Sequence, residues 1–342
     1  AARPREAAAL RGYSSVTAKL GEVEAWTDRK EAAARTYARA SDLADRAIAL
    51  NPEDRDGLFL AASIWFRQAD QLRQFGKPEE AEKGFRKSLE TYRKLQTMAP
   101  APRNRNAIAL TLGRLGSVYF QSEQFSRSRS SYEEGLGIAR ALSSEQPNHI
   151  GYANVYSTLL AEYASILGLP EITNLGEAAE AEKYFRELLL FRERLSQRDP
   201  ASVRMRHELV LARYQLGAVL LERDAREALR LARLAKSAVK AGEDTITNTK
   251  WHLIRADFLE AQALAALGDH DGARRALASL RARKPDAEST AVTPIALAIL
   301  GAKIDGKAAI EDLMAETLNP RGERRSLRTI RQLAEARELL AR

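Results

Sequence analysis

NRNAIALTLGRLGSVYFQSEQFSRSRSSYEEGLGIARALSSEQP, residues 104–147, is the stretch that decides the fold. Two apolar segments with helical spacing lie on either side of a polar elbow, QSEQFSRS. Residues three and four positions apart share one face of a helix, so the stretch predicts two amphipathic helices in a hairpin. A single hairpin cannot cover both apolar faces, and it therefore requires neighbours of its own kind. The apolar positions are Ile108, Leu112, Leu115, Val118 and Tyr119 in the first segment, and Tyr132, Leu136, Ile138 and Leu142 in the second.

The rest of the chain supplies such neighbours as an internal repeat. An aromatic residue is followed by proline fifteen positions later in four places, Tyr37/Pro52, Phe85/Pro100, Tyr132/Pro147 and Phe185/Pro200. A small residue stands sixteen positions before the first three aromatics, and the series is Gly21, Ala69 and Gly116, continued by Ala164 and Gly217. A small residue lets two helices approach closely, the aromatic ring fills the gap, and proline begins the next helix. We therefore predict that Gly116 lies directly against the second helix of its own hairpin.

This pattern resembles the tetratricopeptide repeat. The first helix of that motif has four characteristic positions: a large residue, then leucine, then glycine or alanine, then tyrosine. In this chain they are similar to Leu112, Leu115, Gly116 and Tyr119. Its second-helix run of Ala, an aromatic residue, Ala and Pro is similar to Ala33, Tyr37, Ala40 and Pro52. The prolines are 48, 47 and 53 residues apart, whereas the usual period is about 34 residues. Each helix is therefore longer than in the ordinary repeat by about two turns.

The long helices and phrases such as FRERLSQRDP are similar to repeats appended to bacterial serine/threonine protein kinases. The resemblance implies an all-α fold without a sheet, an α-solenoid of about six hairpins stacked into a right-handed superhelix. We predict the solenoid over residues 1–285 and C-terminal capping helices over residues 286–342 that cover its last apolar face. The predicted repeats are residues 10–52, 53–100, 101–147, 148–200, 201–247 and 248–285. Within the fourth, LGLPEITNLG at residues 167–176 predicts a protruding loop, because it contains proline and two glycines.

Composition argues against several kinds of chemistry. The 342 residues are 45% hydrophobic and 29% charged, which is a globular composition, and they include no cysteine, so disulfides, thiolate metal sites and cysteine nucleophiles are excluded. The four histidines are scattered rather than clustered as a zinc site requires. No phosphate-binding loop or GxSxG elbow is present. We predict a protein that is not an enzyme and needs no cofactor or metal. The tryptophans are predicted to lie in the core or in hairpin seams: Trp26, Trp65 and Trp251.

Basic residues accumulate near the end of a chain whose net charge is +8. A basic helix face can bind an acidic partner such as nucleic acid or a membrane surface, and it can also be a solvated face of a capping helix. We favour the solvated face, because the interleaved aromatics that single-stranded nucleic acid requires are missing. No uncharged run is long enough to cross a membrane as a helix. The basic patch is Arg321, Arg324, Arg325, Arg328 and Arg331.

The resemblance implies a function in binding other proteins. In tetratricopeptide arrays the first helices line a concave wall that holds a peptide or protein partner. Phe66 and Tyr214 are the expected aromatic anchors, and their alternative role is packing between neighbouring first helices. Carried over by register, the candidate groove residues are Ser15, Glu22, Ser63, Phe66, Asp70, Arg73, Ser117, Gln121, Ser157, Ser165 and Tyr214.

Three functional interpretations follow from the sequence. We favour a scaffold for protein–protein interaction, the sensing or docking region of a bacterial signalling protein such as a serine/threonine kinase. The second is a structural module that associates with its own copies through its end faces. The third is binding of nucleic acid or an acidic surface through the basic C-terminal quarter. The cytoplasm is the favoured compartment, and an extracytoplasmic location stays open if the parent protein is anchored in a membrane.

Overall fold

A computed structural model describes residues 2–239, 247–283, 292, 294–305 and 339. Within these residues there are thirteen α-helices and no strands, which confirms the predicted all-α class. None of the described helices is both long and apolar enough to span a bilayer. The helices are α1 (Ala2–Trp26), α2 (Lys30–Leu50), α3 (Arg55–Gln74), α4 (Pro78–Met98), α5 (Pro102–Gln121), α6 (Phe125–Glu145), α7 (Ile150–Gly168), α8 (Ala178–Arg198), α9 (Val203–Leu220), α10 (Ala225–Ser237), α11 (Thr247–Ala266), α12 (His270–Ala282) and α13 (Pro294–Asp305).

The chain forms two compact units, unit 1 over residues 1–159 and unit 2 over residues 160–342. In unit 1 the helices pair in sequence as α1 with α2, α3 with α4 and α5 with α6. Their second helices begin near the predicted elbows. The prediction that the repeat prolines begin the next helix is wrong, because Pro52 and Pro100 lie in the connections before α3 and α5, which begin at Arg55 and Pro102. The predicted repeat boundaries remain predictions, and the basic patch lies outside the described residues.

One turn type closes all three hairpins of unit 1. Each connection has three residues, and its central residue has a positive φ: Asp28 at 58°, Gly76 at 71° and Glu123 at 59°. After it the chain donates a hydrogen bond back to the last turn of the first helix, as from Gln124 N to Tyr119 O at 2.8 Å. This is the common left-handed ending of a helix. The turn reverses the chain over a short distance and holds the two helices side by side.

The small residues of the repeat lie where the two helices of a hairpin are closest. A Cβ atom added to Gly116 would stand 2.5 Å from Cδ2 of Tyr132, which is closer than packed atoms allow. Ser128 Oγ also donates a hydrogen bond to Gly116 O at 2.8 Å. A Cβ atom added to the equivalent Gly21 would lie 3.3 Å from the ring of Tyr37. The predicted position of Gly116 against its own second helix is therefore confirmed.

Unit 2 departs from the repeat pattern at two places. Gly217 faces Leu259 of α11 and not an aromatic ring of its own hairpin. A Cβ atom added to Gly217 would lie 2.5 Å from Leu259 Cδ2. The insertion forms a loop between α7 and α8, as predicted, but it packs back instead of protruding. Leu169 in this loop is buried, and the side-chain amide of Asn174 donates to Leu169 O at 2.8 Å.

A buried carboxylate joins three helical elements of unit 2. Asp257 on α11 is fully buried, and its oxygens lie 2.6 Å from Lys236 Nζ of α10 and 2.6 Å from Arg283 Nε after α12. Burial lowers the pKa of Lys236, but its hydrogen bonds to Asp257 and Glu260 outweigh burial and leave the pKa raised. The helix α13 completes this part of the core, since Ala296, Leu300 and Ile304 are buried against α11 and α12.

We expect Gly116→Leu to lower the free energy of unfolding by about 1–3 kcal/mol, because the new side chain must displace Tyr132. Gly137, in the same hairpin, is the matched control, since its added Cβ would meet nothing within 4 Å. Gly137→Leu should leave stability unchanged or raise it by up to about 1 kcal/mol through better helix propensity. Urea unfolding followed by circular dichroism measures both. Equal effects of the two substitutions would show that the hairpin register is wrong.

Candidate functional site

A cleft of about 550 Å³ opens between the first helices of unit 1. Helices α1, α3 and α5 supply most of its lining, and the buried rings of Tyr37 on α2 and Tyr92 on α4 complete it. Helix α3 runs through the middle and contributes one continuous face. That face comprises Phe59, Ser63, Phe66, Arg67, Asp70, Gln71 and Gln74.

The sequence of α3 explains why this face is turned away from the core. The carboxylate of Asp54 caps the helix, accepting a hydrogen bond from Gly57 N at 3.1 Å. Apolar residues three and four positions apart then bury the opposite face, including Ala62, Trp65 and Ala69. Polar and aromatic residues with the same spacing are left for the cleft. The helix is therefore fixed on one side by packing and free on the other for contact.

An ion pair links α1 to α3 across the cleft. Glu22 Oε1 lies 3.0 Å from Arg67 Nη1, and Lys19 Nζ lies 3.3 Å from Glu22 Oε2. Burial raises the pKa of Glu22, but the hydrogen bonds and charges of Arg67 and Lys19 outweigh burial and hold it below its usual value. Burial lowers the pKa of Arg67, but its hydrogen bonds to Glu22 and the Tyr37 hydroxyl outweigh burial and leave the pKa raised. Glu22 and Arg67 are thus charged and held in place.

A second set of charges links α3 to α5. Asp70 accepts hydrogen bonds from Arg73 Nε at 2.9 Å and from the Gln74 amide at 3.1 Å. Arg114 Nε of α5 lies 3.7 Å from Asp70 Oδ1. Asp70 therefore bridges its own helix and the next first helix. Side chains fixed by such contacts lose less conformational entropy when a ligand binds.

Aromatic rings supply the apolar part of the cleft. Phe66 is half-buried, and its ring meets Phe85 edge to face at a centroid distance of 5.4 Å. Phe59 packs on Tyr92 in the same way at 5.3 Å, with the guanidinium of Arg103 4.8 Å from its ring centroid. Burial raises the pKa of Tyr92. Phe66 thus combines a fixed orientation with a partly exposed ring, so packing and binding are compatible roles for it.

Comparison with known proteins identifies the fold. No protein-family model matches the sequence, and none of the curated proteins matches it. The apo form of RapI is similar at 13% identity, with a TM-score of 0.52 over 96% of this chain and 98% of that chain. A tetratricopeptide repeat protein from Parabacteroides merdae is 14% identical, with a TM-score of 0.49 over 95% of this chain and 98% of its own. BtubC from P. vanneervenii is 19% identical, with a TM-score of 0.44, and 70% and 91% of the two chains are covered. At these identities, similarity shows the fold alone.

The described helices have a tetratricopeptide-repeat fold. Within it, four of the predicted groove residues come together in the cleft. Glu22, Ser63, Phe66 and Asp70 line it directly, and Arg73 holds Asp70 from one side.

The remaining predicted residues lie elsewhere in the repeat array. Ser15, Ser117 and Gln121 are at least partly exposed on α1 and α5 without lining the cleft. Ser157 is fully buried, and its hydroxyl donates a hydrogen bond to Ala153 O of its own helix at 2.9 Å.

The last two predicted groove residues belong to unit 2. The Ser165 hydroxyl donates to Ala161 O at 2.7 Å, and Tyr214 is 3% exposed. The hydroxyl of Tyr214 donates to Glu171 in the insertion loop. Tyr214 is therefore a packing residue held by the loop and offers a partner almost no surface.

Several cleft residues were missed by the sequence analysis. Arg67, Gln71 and Tyr92 line the cleft, and Arg67 could have been found because it stands four positions after Ser63 and three before Asp70, on the same face of α3. Trp65 is buried as predicted, whereas the same expectation for Trp26 is wrong: its side chain is 85% exposed and also lines the cleft. Trp26 is the last residue of α1, and none of the described helices covers its side chain. Among the described residues no group of three metal-ligating side chains is found.

We expect the Glu22–Arg67 pair to stabilise the folded chain in a pH-dependent way. The folded-state pKa of Glu22 lies below its ordinary value, so its contribution is complete above the unfolded-state pKa and is lost as pH falls through the folded-state pKa. Glu22→Gln should reduce the free energy of unfolding at pH 7 by less than about 1 kcal/mol, because the pair is partly exposed. Urea unfolding at several pH values measures the difference between variant and parent chain, which should shrink below about pH 4.

Glu53 is the matched control for this titration, because it is exposed and lies outside the ion-pair network. Glu53→Gln should change stability little at any of these pH values. A difference for Glu22→Gln that persists unchanged at low pH would contradict an electrostatic role for the carboxylate.

Proposed function

We propose that this protein is a non-catalytic scaffold that binds a segment of a partner protein in the cleft of unit 1. The single observation that supports it is the arrangement of the cleft, where half-buried Phe66 lies beside two ion-paired residues of the middle helix, Arg67 and Asp70. Large aromatic side chains are enriched among the residues that dominate the binding energy of a protein interface. The fixed charges beside the ring would orient the bound segment.

The polar lining of the cleft suits a peptide. Ser63, Gln71 and Gln74 line the cleft with at least partly exposed side chains. Amide side chains offer both donors and acceptors, which match the alternating N–H and C=O groups of an extended backbone. A segment bound there would contact all three first helices of unit 1. We infer that recognition combines one aromatic anchor with several backbone hydrogen bonds.

The charge balance favours an acidic segment over a basic one. The lining itself carries one cation and two carboxylates, but three further cations pair with those carboxylates from beside the cleft, and from this total we infer a positive local potential. An acidic partner would gain from this excess, and its binding would weaken as salt is added. The cations are Lys19, Arg67, Arg73 and Arg114, and the carboxylates are Glu22 and Asp70.

We propose a bacterial signalling protein as the wider context, with this region as its docking or sensing part. The sequence similarity to kinase-appended repeats supports this context, through the long helices and phrases such as FRERLSQRDP. The nucleotide sequence upstream of this coding region provides a direct test. A kinase domain in the same reading frame is the expected result, and a continuous reading frame without one would contradict the kinase context.

A random peptide library displayed on phage is a suitable probe for the cleft. Peptides selected on the whole chain should be enriched in acidic residues, and their affinity should be measured by fluorescence polarisation. We expect Phe66→Ala to weaken binding about tenfold, because it removes the aromatic anchor. Ser63→Trp should weaken it similarly by filling the cleft.

Two control variants separate loss of the site from loss of the fold. Phe125→Ala removes an exposed ring at the start of α6, and Ser130→Trp adds an indole to an exposed position of the same helix. Both should bind the selected peptides normally, and circular dichroism should show unchanged helicity for all four proteins. If the cleft variants bind normally and charge reversals at Arg324 and Arg328 abolish binding, the basic C-terminal patch is the site instead.

A further inference from the structure

Trp26 is the most exposed large apolar residue in the part of the chain that the structure describes. It is 85% exposed, and it lines the cleft of unit 1 together with Ala25 of its own helix and Gln74 of α3. Tryptophan is highly buried on average in folded proteins. At protein interfaces it is enriched, because its ring offers a large apolar area. An open indole in the lining of a cleft is therefore a candidate contact for a ligand.

The exposure of Trp26 belongs to its repeat position. Trp26 stands five positions after the small residue of its helix, and Gln74 and Gln121 stand at the same position of α3 and α5. Both glutamines are exposed, although a hairpin precedes each of these two helices. A preceding hairpin therefore does not cover this position, which is open in all three first helices of unit 1.

The distance between Trp26 and Phe66 along the cleft follows from the repeat register. Phe66 and Gln74 are eight residues apart on α3, which is about 12 Å along the helix axis. Trp26 lies at the level of Gln74, because the two residues share one repeat position and both line the cleft. Four residues of an extended chain cover about 13 Å, and side chains an even number of residues apart point to the same side. One extended segment can thus reach both rings.

We propose that Trp26 is a second anchor of the cleft and binds an apolar side chain of the partner segment, four residues from the one that contacts Phe66. This inference rests on the proposed function, because it concerns the same bound segment. An indole face binds both apolar groups and cations, and the positive potential inferred for the cleft favours the apolar group. Trp26 thereby selects, among acidic segments, those that carry two apolar residues at this spacing.

The peptides selected from the phage library on the whole chain provide the first test. Two apolar positions that are four residues apart should be enriched in them. Trp26→Gln should weaken the binding of these peptides about fivefold, because it removes the indole. The substitution suits the fold, since glutamine is the residue that α3 and α5 carry at this position.

Tyr13→Gln is the matched control, because Tyr13 is 67% exposed on the same helix and does not line the cleft. It should bind the peptides like the parent chain. Alanine replacements in the peptide then assign each contact. Replacing one of its two apolar residues should abolish the effect of Trp26→Gln, and replacing the other should abolish the effect of Phe66→Ala.

Tryptophan fluorescence adds a readout that reports on Trp26 itself. Trp65 is buried and Trp251 is half-buried, whereas Trp26 is open to solvent, so acrylamide quenches Trp26 most strongly. A bound peptide that contains no tryptophan should shift the emission of the parent chain to shorter wavelength and reduce this quenching. Trp26→Gln should lose both changes.

The outcomes separate the second anchor from the proposed function. If Phe66→Ala weakens binding and Trp26→Gln does not, or if the selected peptides have no second apolar position at this spacing, the second anchor is overturned and the cleft stands. If both variants bind normally, the proposed function fails and the second anchor fails with it. Unchanged helicity by circular dichroism shows that the fold of each variant is intact.

Discussion

The packing of one aromatic ring against one small residue sets the distance between the helices of a hairpin. Where Tyr132 covers Gly116, a Cβ atom would stand 2.5 Å from the ring, so only glycine permits this approach. In α3 and α4 the close approach is between Ala69 and Gly84, and Phe85 beside it is fully buried. Since each hairpin of unit 1 uses its inner face for such a close contact, the other face of its first helix is left for a neighbour or a ligand. The cleft of unit 1 is formed by such faces.

Those parts of the structure that depend on local spacing could be predicted from the sequence. Helical periodicity and the glycine-to-tyrosine spacing predicted the all-α class, the hairpins of unit 1 and the position of Gly116, whereas the repeat prolines mark the connections rather than the helix starts. The face of α3 could be predicted in part, because Ser63, Phe66 and Asp70 share the spacing that lines the cleft. Each of these inferences needs only residues within one hairpin, where the helix geometry relates position to direction.

Features that join residues from different hairpins escaped the sequence analysis. The partner of Glu22 is Arg67, and the residue that holds Tyr214 is Glu171; both pairs are more than forty positions apart. No periodicity relates such positions, because long side chains reach across the gap between helices in several directions. Trp26 was misplaced for a different reason. A repeat register predicts burial only where a neighbouring helix is present, and none of the described helices covers Trp26 at the end of α1.

Ion pairs between neighbouring hairpins also explain why the cleft can stay open. The two partners of each pair are about one repeat apart in the sequence. Glu22–Arg67 joins α1 to α3, and Asp70–Arg114 joins α3 to α5, so the cleft is spanned by charges rather than closed by apolar side chains. Pairs such as Asp45–Lys87 and Glu134–Arg93 join the second helices in the same manner. Partly exposed pairs add little stability each, but they specify which helix faces which. The aromatic contacts inside each hairpin therefore provide rigidity, whereas the charges between hairpins align the first helices and leave Phe66 accessible between them.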